Sequence, residues 1–299
     1  MKFRNLALMT TSLVALGLSV APVSAKTAPM MGRVDVDFSY WWDSWDYGGG
    51  STYDDEYTTL VGSARVNIPY DEFVNLQLDI TGETSLDEYT GSDAGHFAAG
   101  GHLNWRDPMV GLLGVFAAVG TVNDYYAEST AMVGIEGQYY CDMWTFYGQI
   151  GYWDSHDGGE SSLIRNAGFI RGEVSYYASQ QLKLTGGLKY LAGDIGDYYY
   201  SAEGSQGWDW ILRLDYFFGK TIPVAGFAEY SGRSNDVDYY DNSLDVNRFN
   251  VGLTFYFGGD GNNDLKYHDR NGASVSLPDF DEIRSAYRSL ARKRFRRLR

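Results

Sequence analysis

The chain has 299 residues, and its 39 acidic against 24 basic side chains give a net charge of −15 that sets nucleic acid aside as a partner. Its one cysteine, Cys141, excludes an intrachain disulfide and reads as a half-buried thiol near a turn. Beyond Ala25 no segment approaches the roughly twenty apolar residues of a membrane-crossing helix. The 36 glycines, 25 tyrosines and 16% aromatic content then leave an all-β chain, either a soluble domain or a membrane barrel.

Residues 1–25 read as a cleaved export signal. Lys2 and Arg4 supply the positive start, Leu6 to Val20 is largely apolar, and Val23-Ser24-Ala25 fits a small-residue cleavage site. No cysteine lies near that point, which argues against a lipid anchor, and Lys26 begins the mature chain.

Twelve runs of period-two alternation follow, predicting strands near 32–42, 57–68, 73–82, 96–105, 109–121, 128–140, 142–153, 162–177, 181–192, 208–218, 222–231 and 246–257. Transmembrane β-strands need about nine to eleven residues, whereas soluble strands have a mode of about five or six; the length favours a membrane barrel. Five connections are tight: Pro69 to Glu72, Arg106 to Pro108, Cys141, Ala178 to Gln180 and Gly219 to Thr221. Six are longer, at about 43–56, 83–95, 122–127, 154–161, 193–207 and 232–245. Strict alternation of short and long is the pattern of periplasmic turns and extracellular loops, and an even strand number leaves both barrel ends on the periplasmic side. The expected fold is all-β, a twelve-stranded antiparallel transmembrane β-barrel over 26–257, with a linker and a short basic helical extension over 258–299.

The faces agree with this. Trp208, Trp210, Leu212, Leu214, Tyr216 and Phe218 alternate with Asp209, Arg213 and Asp215, and Val74, Leu76, Leu78 and Ile80 alternate with Asn75, Gln77 and Asp79. A one-residue slip puts charge into lipid, at about 2–4 kcal/mol per Arg or Lys at the midplane. Tyr40, Trp41, Trp42, Trp45, Trp105, Tyr139, Trp144, Tyr152, Trp153, Tyr176 and Tyr177 gather at strand ends, where amphipathic rings suit the two lipid–water boundaries.

The stretch 26–257 resembles the small bacterial outer-membrane β-barrel proteins, porin-like channels among them. Its last strand ends Leu253-Thr254-Phe255-Tyr256-Phe257, with Phe249, Val251, Leu253, Phe255 and Phe257 on one face. That ending is similar to the terminal signal read by the barrel-assembly machinery, and 42 residues follow it here. The resemblance implies residence in the bacterial outer membrane, with that machinery, lipid and lipopolysaccharide as partners and no cofactor.

Charge is partitioned along the chain. Residues 26–257 hold 33 acids and 12 bases, while 258–299 hold 6 acids and 10 bases. The six long connections, with Glu128 counted at a loop edge, carry 21 of those acids and one base, Arg233, so the external loops are expected to be strongly acidic. They read either as a solvated surface or as oxygen ligands for divalent cations bridging to lipopolysaccharide. Facing inward are the bases Arg33, Arg65, Arg165, Arg171, Lys183, Lys189, Arg213 and Arg248, and the acids Asp35, Asp37, Asp79, Glu136, Glu173, Asp209, Asp215 and Glu229. This balanced set reads two ways. Paired charges seal the lumen, or acids and bases on opposite walls line a narrow wet pore as its selectivity element.

Signals for catalysis or metal binding are weak. His96 and His102 face the lumen about 20 Å apart at strand rise, too far to share a metal. His156 beside Asp154 and Asp157 is the best rim candidate for an enzyme, and each of the four histidines, His268 included, reads as a solvated residue. No phosphate-binding glycine loop or Cys/His metal spacing is present, so an enzyme is not expected.

Past Phe257 the Gly/Asn/Asp-rich stretch 258–272 reads as a linker. Pro278 and Asp279 then start a basic amphipathic helix with Phe280, Ile283, Tyr287, Leu290 and Leu298 along one stripe. Such a tail suits the anionic inner leaflet, a periplasmic partner or occlusion of the barrel mouth. The function expected is passive diffusion of small hydrophilic solutes, the alternative being a closed structural or surface-binding barrel acting through its acidic, tyrosine-rich loops.

Overall fold

The computed structural model describes residues 29–278 apart from 48–50, 87–94, 124–126, 157–163, 198–199, 219–222, 238–241 and 260–263. The export signal and the basic stretch 279–299 lie outside the described residues, as do the side chains of His156, Arg165 and Trp45.

The strands are β1 (Met31–Tyr47), β2 (Ser51–Pro69), β3 (Val74–Ser85), β4 (Gly95–Asp107), β5 (Gly111–Asn123), β6 (Ala127–Cys141), β7 (Trp144–His156), β8 (Ile164–Tyr177), β9 (Leu182–Asp197), β10 (Tyr200–Phe217), β11 (Val224–Val237) and β12 (Asn242–Gly258). Each pairs antiparallel with its sequence neighbours, and β1 pairs with β12 from Met31↔Gly258 to Asp46↔Ser243, closing the barrel. Closure leaves no open sheet edge, as a membrane requires of strands.

Most strands outrun their sequence limits on the side of the long connections. β1 and β2 stay paired to Tyr47↔Ser51, and β10 starts at Tyr200 rather than 208. An antiparallel ladder continues wherever both strands supply extended backbone, and neither Asp43 and Asp46 nor Asp54 and Asp55 prevent that. Much of the expected loop sequence is therefore hairpin standing above the barrel. The turn expected at Cys141 falls instead at Asp142-Met143, with Asp142 in the left-handed region (φ 48°) that Asp tolerates. Cys141 is exposed rather than half-buried.

Outside, an apolar belt continues around the wall: Val36 and Phe38, Leu76 and Leu78, Val115 and Val119, Val133 and Ile135, Ile150, Ile170, Leu188, Leu212, Val251 and Leu253 all stand exposed. Rings border it on both sides. Trp144–Tyr176, Phe73–Trp105 and Tyr139–Phe146 pair near the short turns, and Tyr190–Trp208, Tyr40–Trp42 and Trp42–Tyr230 pair near the far end. On β7 the two borders, Trp144 and Tyr152, are eight residues apart, about 26 Å along the strand and about 20 Å in height at the ~35–45° tilt of such strands, somewhat less than the ~25 Å apolar band of an outer-membrane barrel. Trp41, Trp153 and Tyr177 depart from the expected girdles: they are buried inside the barrel. Period two forces this, because Trp41-Trp42, Tyr152-Trp153 and Tyr176-Tyr177 are neighbours and only one of each pair can face lipid.

After β12 the chain turns back. Gly258 and Gly259 take φ of 77° and 89°, and helix α1 (Leu265–Asn271) forms where a linker was expected, its N-cap Asp264 accepting from the Lys266 N–H. Residues 272–278 then run without regular structure. Leu265 is fully buried among Tyr177, Phe217, Ala225 and Tyr256, all inward residues near the short-turn end. The extension thus enters the barrel.

Candidate functional site

The site is the lumen, whose lining follows from strand parity. Arg33 and Asp35, Asp79, Glu136, Lys183 and Lys189, and Asp215 are buried inside. Asp37, Arg65, Arg171, Glu173, Asp209, Arg213 and Arg248 line the same interior cavity. Glu229 also faces inward beside Phe227, so that strand keeps the ordinary alternation.

The charges do not divide between opposite walls. Several pairs sit two residues apart on one strand: Arg33–Asp35 at 3.1 Å, Arg171–Glu173 at 2.5 Å and Arg213–Asp215 at 2.8 Å. Residues i and i+2 share a face, so alternating bases and acids on one face must meet. Cross-strand contacts extend the pairs into a ladder. Arg213 also reaches Glu229 (3.3 Å), which Arg248 approaches at 3.4 Å and to which Asn250 donates at 2.9 Å. Nearer the outer end, Asp209 takes Lys189 and Arg233, each at 2.7 Å. Arg233 is therefore a lumen residue, not the lone loop base that sequence suggested; β11 extends past it and parity turns it inward.

His102 is fully buried with Glu136 at 2.8 Å from Nδ1 and Asp79 at 3.3 Å from Nε2. Tyr147 donates to the same Glu136 at 3.1 Å. His96 lies 3.8 Å from Glu83, and His268 stacks on Tyr256 at 4.6 Å between centroids. These three histidines are buried rather than solvated. Among the described residues no set of three His, Cys, Asp or Glu side chains is placed to hold a metal.

One wall is apolar. Ala98, Phe116, Ala118, Val122, Met132, Trp153, Ala167, Phe169 and Leu191 form a buried cluster on the inner faces of β4 to β9. Period-two reading missed it because strands such as β5 are apolar on both faces, so alternation carries no contrast there. A second inward cluster of Trp41, Tyr57, Leu244 and Val246 lies toward the outer end, with Trp41 and Tyr57 stacked 5.5 Å apart and Arg248 over the Trp41 ring at 4.7 Å.

The returning extension fills much of the space between. Arg270 donates to the carbonyls of Asp142 and Trp144 in the short β6–β7 hairpin (2.8 and 3.0 Å). Asp269 accepts from Lys183 and from Tyr177, both at 2.9 Å. Beyond the helix, Asn67 donates to the Asn271 carbonyl (3.3 Å), Arg106 to that of Gly272, Gln77 to that of Val275 (3.0 Å), and Gln149 to that of Ser276 (3.3 Å). Leu277 ends the path against the apolar wall, where Gly100 makes room: a Cβ there would lie 2.9 Å from Leu277 Cδ1. Sequence reasoning left out Arg106 and Asp269, placing them in a turn and a linker; the inward parity of His102 and Asn104 was the signal that Arg106 belongs inside.

Beside this segment a cavity of about 330 Å³ remains, lined by charged side chains from Arg33, Lys183 and Asp269 at the short-turn end to Lys189, Asp209 and Arg233 farther out, with apolar groups such as Val61, Ile80, Ile211 and Phe227 between them.

No family model matches the chain, and no curated protein matches it. Among solved structures it is similar to the COG4313 outer membrane channel from Pseudomonas putida F1, with 14% identity over 80% of this chain and 100% of that one and a TM-score of 0.55. The NanC porin aligns over 74% of this chain and 98% of its own at 10% identity and TM-score 0.48. The KdgM porin aligns over 73% and 99% at 10% and 0.42. The chain has the fold of the bacterial outer-membrane β-barrel channels.

Proposed function

We propose that this chain is a channel of the bacterial outer membrane for passive movement of small hydrophilic solutes through a narrow, mixed-charge lumen. The observation that carries the reading is the cavity of about 330 Å³ that persists beside the internal segment, where charged side chains stand among apolar ones such as Trp41, Trp210 and Phe227. Its size is at the lower end of small-molecule sites, about 300–1,000 Å³, so the cargo is small. Because acids and bases alternate on one wall, the lumen holds little net charge and gives a dipolar solute successive partners.

Purified protein in planar bilayers tests this. Stepwise conductance that changes with Arg171→Ala or Asp215→Ala supports the channel, with heat-dependent gel migration confirming that each variant is a folded barrel. Silence of the folded wild type discards it. The charge ladder and the internal segment favour one second reading, a closed barrel acting through its exterior, and silence is the outcome that reading requires.

A further inference from the structure

The seat of the internal segment has the chemistry of a peptide site. Its polar donors come from side chains of β2, β3, β4 and β7, and they aim at main-chain carbonyls, of Asn271, Gly272, Val275 and Ser276. Contacts along 274–277 alternate. Ser274 Oγ donates to Gln138 (3.2 Å) and Ser276 Oγ accepts from Arg171 (3.0 Å). Val275 packs with Leu112 and Tyr147, and Leu277 packs against the Ala98–Phe116 wall. A polar rail and an apolar rail reading successive residues match the period of two of an extended chain. Recognition by carbonyls with sockets for alternate side chains is how grooves take extended peptides of varied sequence.

We infer that the lumen wall from β2 to β8 is a groove for an extended peptide entering from the periplasmic mouth, occupied here in cis by residues 271–277. The ligand it fits alternates small hydroxyl-bearing and aliphatic side chains over about four residues. The cis segment competes at an effective concentration on the order of millimolar, set by its short tether. A free peptide therefore binds well only when that tether is cut.

The test keeps the full chain through folding. A protease site is introduced between Gly259 and Asp264, the assembled barrel is purified and cut, and release of the tail is followed by mass spectrometry. Binding of a fluorescent peptide with the sequence of residues 264–278 is read by anisotropy. The intact barrel should bind none at micromolar concentrations, and the cut barrel should bind it saturably. Gln77→Leu, which removes one carbonyl donor, should weaken binding about 3- to 10-fold. A peptide with the order of Ser274-Val275 and Ser276-Leu277 reversed should bind at least about tenfold more weakly. A cut barrel that has lost its tail yet binds no peptide overturns the inference, and so does a tail that stays and does not exchange against excess labelled peptide. The readout is independent of conductance: a silent barrel that binds peptide discards only the channel, and a conducting one that binds none discards only the groove.

Discussion

Asp71, in the turn between β2 and β3, accepts the N–H groups of Phe73 at 2.8 Å and Val74 at 2.7 Å. Two main-chain donors favour the ionised form and hold this carboxyl below its ordinary value of 3.8. A lowered folded-state pKa means that the carboxylate supports the turn above the ordinary value and loses that role as pH falls through the lowered one. Carboxyl NMR of Asp71 should therefore show a midpoint under 3.8, and one at or above it refutes the account. His102 makes a different kind of prediction. It stands between Asp79 and Glu136 with no exposed surface, so His102→Leu leaves two inward carboxylates short of a partner. Leaving buried hydrogen-bonding groups without their partner costs about 1–3 kcal/mol. Urea unfolding of the folded barrel should register that loss, and an unchanged midpoint would mean that water serves these carboxylates as well as the imidazole does.

At the scale of elements, the existence and facing of all twelve strands were legible because half of each strand meets lipid and half meets the lumen, which makes the period-two contrast strong. Where that contrast fails, so did the reading. Alternation cannot say where a hairpin stops above the membrane, which is why sequence alone places Arg233 in a loop. Adjacent rings such as Tyr152-Trp153 look alike until parity assigns one of them to each face. Least visible was the extension. A seven-residue helix and a four-residue alternation at 274–277 are too short to stand out in a sequence, and what places them is tertiary: Leu265 in an aromatic nest and Arg270 on a turn 126 residues earlier in the chain. Arg270 also stacks over the Tyr140 ring at 4.9 Å. Removing it by Arg270→Ala should loosen α1 without opening the barrel, since both hydrogen bonds are exposed and together contribute about 1 kcal/mol. Amide exchange in 266–271 should rise about fivefold while the strand amides stay protected; loss of protection throughout the barrel would show that α1 holds the wall itself together.

For the whole molecule the decisive partition is between an apolar outside and a charged inside, the reverse of a soluble protein. Leu212 lies on the outer face of β10 midway between the girdle rings Trp208 and Tyr216 and is 63% exposed; Met109, in the β4–β5 turn, is 84% exposed. By exposure alone an arginine is tolerated at either. In a membrane the two sites differ, because an arginine at the bilayer midplane of a β-barrel costs about 2–4 kcal/mol and one near the interface about 0–1. Leu212→Arg should lower the stability of the folded barrel in lipid vesicles by that larger amount, and Met109→Arg should leave it nearly unchanged. Equal and small effects would put the belt in water. Equal and large ones would mean that the turn, too, is submerged, and that the girdle of Phe73, Trp105, Trp144 and Tyr176 does not mark the membrane boundary.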